Sequence, residues 1–126
     1  MVKLIIDSLK DLEDKIMTHE SAKGFLKVHG VSRTNVQGGE VGLDKAEAIE
    51  FLSILESAGV CVLGGDVYEV ESDGYFRPTG DNWYCDRCEL DEVTYTEKTI
   101  VKAREYIKGY VEKEGVDIKY VVVAEL

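Results

Sequence analysis

Basic residues are scarce in this chain: 15 Lys plus Arg stand against 25 Asp plus Glu, for a net charge of −10 at pH 7. A broad phosphate-binding face needs clustered Lys and Arg, so direct nucleic-acid contact is disfavoured. An anionic membrane surface would repel the chain for the same reason. No apolar run approaches the roughly 18 residues a membrane-spanning helix needs. Asp7 interrupts the opening Met1-Val2-Lys3-Leu4-Ile5-Ile6 before a signal-peptide apolar core could form. Three cysteines is an odd and small number, which fits a secreted disulfide framework poorly and makes a reducing cytoplasm the expected compartment. Pro78 is the lone proline, so there is no proline-rich linker. With two histidines and one tryptophan, the raw material for catalysis is thin. What is present is a 44% hydrophobic share over 126 residues, enough for one ordinary domain spanning 1–126 with a real core.

Along the chain, Ser8-x-x-Asp11 reads as a helix start, with Leu9, Leu12 and Ile16 behind it at helical spacing. That helix is expected to fade by Gly24, and Leu26 and Val28, alternating with Lys27 and His29, suggest a short strand. The glycine-rich stretch 36–42 reads as a loop. Asp44 and Glu47 form a capping box for a second helix, whose stripe is Ala48, Phe51, Leu52, Leu55 and Ala58. Glu50, Ser53 and Ser57 fall on its other side, and Gly59 suits a left-handed stop.

Val60-Cys61-Val62-Leu63 reads as a buried strand, and Gly64-Gly65 as a bend, tight turn or bulge. A three-residue loop, Ser72-Asp73-Gly74, would pair Val70 with Phe76 and Glu69 with Arg77, placing apolar groups on one face and an ion pair on the other. The segment 81–92 reads as irregular and acidic. Thr94-x-x-Glu97 opens a third helix with Ile100, Ala103, Ile107, Tyr110 and Val111 inward, closed by Gly115. Ile118 to Ala124 reads as a central strand. The class is α+β, a small mostly antiparallel sheet with about three helices against it.

Candidate chemistry is meagre. Cys85-Asp86-Arg87-Cys88 could be a dithiol or half a zinc site, but Asp86, Glu89, Asp91 and Glu92 would raise the thiol pKa. A zinc site lacks its second ligand pair, since Cys61 lies in an apolar strand and only His19 and His29 remain. There is no G-x-S-x-G and no phosphate loop, so nucleophile, base and orienter cannot be assigned. Catalytic residues, metal ligands and cofactors are therefore all read as none. Trp83, beside Tyr84 in the acidic segment, either closes the edge of the core or anchors a protein partner, and the two readings weigh evenly.

Leu63-Gly64-Gly65-Asp66-Val67-Tyr68 followed by Asp81-Asn82-Trp83-Tyr84-Cys85 resembles the immunity proteins 40 of bacterial polymorphic toxin systems. The flanking helix 46–59 and the helix and strand over 100–124 suit the same layout, whereas the likeness is poor before Gly24. Cys88 and the glycines from Gly38 to Gly42 depart from that pattern, so the cysteine pair gains nothing from it.

The resemblance implies a non-catalytic cytoplasmic protein that binds and blocks a cognate toxin domain, expected to be basic given the charge of this chain. The partner-binding residues expected from the segment are Asp81, Trp83, Tyr84, Asp86, Glu89, Asp91 and Glu92. The competing classes are a small thiol-redox or zinc-binding protein using Cys85 and Cys88, and a plain structural module; a homodimer is left open.

Overall fold

The centre of the molecule is a strand built around two glycines. In the computed structural model, which describes residues 20–32, 41–86 and 91–126, strand β3 (Val62–Val70) runs between β4 (Phe76–Tyr84) and β5 (Asp117–Ala124) in an antiparallel sheet of order β4-β3-β5. Gly64 and Gly65 lie inside β3 and turn nothing; the irregularity there is a bulge against β5 between Val62 and Gly64. The expected strand onset at Val60 shifts to Val62, with Val60 and Cys61 buried just before it.

The hairpin has the expected register, Val70 opposite Phe76 and Glu69 opposite Arg77. Its three-residue loop is closed by the Glu71 N–H donating to the Tyr75 carbonyl at 2.9 Å. Gly74 stands at φ 85°, where a Cβ is strained. Arg77 pairs with Glu69 on one face, while Phe76 packs with Tyr68 and Val121 on the other.

Two expectations fail in this sheet. The segment from Asp81 is not irregular: β4 continues through it to Tyr84. A bulge separates the halves of the strand, for β3 advances from Asp66 to Tyr68 while β4 advances from Pro78 to Asn82. Thr79 fills it by donating its hydroxyl to the Val67 carbonyl at 2.8 Å. Nor is β5 central; it is an outer strand, and β3 holds the middle. The free edge of β5 is partly covered by Leu43, which exchanges two backbone hydrogen bonds of 2.8 and 2.7 Å with Tyr120. That cover explains why an outer strand reads as a buried one.

Helix α2 (Lys45–Ala58) forms as expected. Asp44 Oδ1 accepts from the Glu47 N–H at 2.8 Å, Glu47 Oε1 accepts from the Asp44 N–H at 3.2 Å, and the stripe is buried throughout. Gly59 ends it at φ 67°. Helix α3 (Glu92–Gly109) starts earlier than expected, with Asp91 as its cap and Thr94 as the residue capped. It also stops earlier: Tyr110 is the C-terminal cap, Val111 is 87% exposed, and Gly115 belongs to the turn before β5. Both helices pack on the sheet face that carries Val67, Trp83, Ile118 and Tyr120. The buried Val62 N–H donates to Thr99 Oγ1 at 3.0 Å, tying α3 to β3.

Residues 20–29 are helical and form α1, so neither a stop at Gly24 nor a strand through Leu26 and Val28 occurs. Ala22 and Phe25 face inward at helical spacing, and Phe25 stacks on Phe51 at 5.9 Å, while Val28 points to solvent. A two-strand ribbon follows, β1 (Val31–Ser32) against β2 (Val41–Gly42), so the end of the expected loop is strand. The helix start at Ser8 and the glycines at 38–39 lie outside the described residues.

Candidate functional site

The two stretches that carry the resemblance are neighbours across the sheet: Gly64 pairs with Tyr84, Gly65 with Trp83 and Asp66 with Asn82. Glycine is required at 65 because the Trp83 indole lies across the strand. A Cβ there would land on Trp83 Cη2, 2.6 Å from Cζ2 and 2.5 Å from the Val121 carbonyl oxygen. Trp83 is 5% exposed and its ring sits 4.8 Å from that of Tyr106, followed by Tyr110 and Tyr120 in a ladder of aromatic contacts. Its indole Nε1 is buried and finds no acceptor among the described residues, a defect worth about 1–3 kcal/mol. Of the two evenly weighed readings of Trp83, the free chain realises the core-edge one.

Tyr84, next along the strand, turns the opposite way and is 65% exposed. Lys102 of α3 donates to the Tyr84 carbonyl at 2.5 Å and lies 5.6 Å from its ring centroid, fixing the end of β4. Asp81 is exposed, and its Oδ2 accepts from the Tyr110 hydroxyl at 2.7 Å. Burial chiefly, and the Asp81 carboxylate next, raise the Tyr110 pKa. Asp86 is exposed at the end of the strand.

Asp91 has a structural task. Its carboxylate accepts from the Thr94 N–H at 2.9 Å and the Thr94 hydroxyl at 2.8 Å, and these bonds hold its pKa below the ordinary value. Glu92 is exposed in the first turn of α3, favourably placed against the helix dipole. Glu89 lies outside the described residues. The exposed members of the expected set are thus Asp81, Tyr84, Asp86, Asp91 and Glu92; Asp81 meets the C-terminal end of α3 through Tyr110, Asp91 and Glu92 stand at its start, and Trp83 is buried.

The thiol reading draws little from the geometry. Cys85 is half-buried, and desolvation first, opposed by Lys102 and then reinforced by Asp86, raises its pKa. Cys88 and His19 lie outside the described residues, and among the described residues no group of three or more potential metal ligands occurs. His29 ends a helix rather than lining a strand, with Nδ1 3.3 Å from Glu47 Oε2. Among the described residues no helix is long and apolar enough to cross a membrane.

One surface escaped the sequence reading. Between the end of α2 and the first half of α3 lies a groove of about 560 Å³, lined by Glu56, Gly59, Glu92, Val93, Thr96, Glu97 and Val101. Val93, Glu97 and Val101 recur every four residues along an exposed flank of α3 that borders its buried stripe, a signal available in the sequence. Such a surface can bind; it has no group poised to react.

No curated protein and no solved structure matches the chain. A family described as Immunity protein 40 matches it over residues 25–124, which takes in every strand and helix from Phe25 to the end of β5.

Proposed function

The chain belongs to the immunity protein 40 family, and from that premise we propose that it binds a cognate toxin domain of a polymorphic toxin system in the cytoplasm and silences it by occupancy. The family match over most of the chain carries this reading. A charge of −10 supports a basic toxin domain, because complementary charge speeds encounter and orients it.

The surface we assign to the toxin is the end of β4 with the start of α3. Tyr84 supplies an exposed aromatic anchor, and Asp86 and Glu92, with Asp81 further back along β4, supply the acidic rim. Trp83 and Asp91 contribute from behind, one as the core seat of the strand and the other as the cap of α3. Inhibition needs no reacting group from this chain, only coverage of the toxin's working surface.

Co-expression tests the reading. Cells producing the toxin domain encoded beside this gene should die alone and grow when the full chain is supplied, and the two proteins should co-purify. Death despite abundant folded chain would remove the proposal.

A further inference from the structure

We propose that the groove between the end of α2 and the first half of α3 is a second docking point, seating a Lys or Arg side chain and its apolar neighbour from the toxin domain. It rests on the toxin-binding reading above and extends it to the other flank of α3. Three carboxylates line the groove, Glu56, Glu92 and Glu97, and among the described residues no Lys or Arg does. Arg104 of α3 already holds Glu56, its guanidinium 3.7 Å from the carboxylate, and Glu92 and Glu97 have no ion pair among the described residues.

A second demand for positive charge comes from α2 itself. The C-terminal end of a helix carries partial negative charge and favours a cation in its last turn. The last turn of α2 has Glu56 and no basic residue. A cation from outside would meet both the carboxylates and the helix end.

The floor explains the apolar part of the occupant. Val93 is 69% and Val101 47% exposed, separated by one turn on either side of Glu97. Long basic side chains lay their methylene stems on such apolar surface while the charged head meets carboxylates. Glu92 lines this groove, and the Tyr95 hydroxyl one turn on donates to the Cys85 carbonyl at 3.5 Å just past β4, so one toxin domain straddling the start of α3 reaches both surfaces.

The test uses the full chain co-expressed with the toxin domain encoded beside its gene. The photo-crosslinker p-benzoylphenylalanine replaces Val101 in one variant and Val111, an exposed site outside the groove, in another. Cross-linking to toxin at 101 and not at 111 is the expected result. A complex that forms but cross-links only at 111, or at neither, overturns the groove while leaving the toxin-binding reading intact. A wild-type chain that retains no toxin domain overturns that parent reading and the groove with it. Charge supplies the second arm: Glu56→Gln with Glu97→Gln should slow association about three- to tenfold at low salt while the circular dichroism is unchanged. Wild-type association kinetics in that folded variant would also overturn the groove.

Discussion

Adding one methyl group to Gly65 should damage this fold more than most single substitutions. An alanine Cβ at 65 meets the Trp83 ring and the Val121 carbonyl oxygen at once, the latter at 2.5 Å. Neither gives way cheaply: Val121 is in β5, hydrogen-bonded to β3, and the indole is backed by Tyr106 at 4.8 Å. Overpacking of this kind costs about 1–3 kcal/mol and sometimes more. The gain from removing glycine's excess unfolded-state freedom, about 0.4–1 kcal/mol, does not cancel it.

We expect a net loss of about 2 kcal/mol in Gly65→Ala, from a total stability on the order of 5–15 kcal/mol. With a urea m-value of about 1–3 kcal/mol/M, the midpoint falls by about 0.7–2 M. The cause is separable by a double-mutant cycle. Trp83→Leu removes the ring atoms that collide, so Gly65→Ala should cost at least about 1 kcal/mol less in that background. A Gly65→Ala protein that melts like the wild type, or strictly additive effects, would refute the seating of the indole on β3.

The hairpin loop is tested by Gly74→Val, which puts a β-branched residue at φ 85° and should cost about 1–3 kcal/mol in a thermal melt. Asp91→Ala should lower the melting temperature at pH 7. The Asp91 pKa is depressed in the folded state by its bonds to Thr94, so its contribution is complete above the ordinary carboxylate value of about 3.9 and is lost as pH falls through the folded pKa. The two melting temperatures should therefore converge in acid, and a constant gap would contradict the capping assignment. Cys85→Ser with Cys88→Ser should leave toxin protection intact in the growth assay; loss of protection by the folded double variant would restore a chemical role for the thiols.

Local signals were read where they are self-contained. α2 announces itself because the capping box, the stripe and the terminal glycine all lie within residues 44–59 and agree with one another. The hairpin register follows from charge and apolarity alternating on both arms, with the glycine at the position that needs it. Signals fail where a distant residue sets the outcome. Gly65 is glycine because of a ring supplied by Trp83, and nothing within β3 says so. β4 beyond Gly80 looked irregular because its bulge breaks the alternation and its residues are polar. In the helix over 20–29, the two alternating pairs Leu26-Lys27 and Val28-His29 are too short to outweigh the inward pair Ala22 and Phe25. The candidate surface was legible as a segment but not by residue. Tyr84 is exposed and Trp83 is not because neighbours on a strand point to opposite faces, and the polar, bulged residues of β4 do not signal a strand.

Hydrogen exchange of the full chain, alone and bound to the toxin domain encoded beside its gene, tests the central claim most directly. Backbone amides over 81–86 and 91–101 should gain protection in the complex, and Tyr84→Ala should reduce that gain while leaving the free chain's exchange pattern unchanged. Protection confined to the hairpin tip around Gly74, to the 20–29 helix or to β5 would contradict the placement of the toxin on the end of β4 and the start of α3.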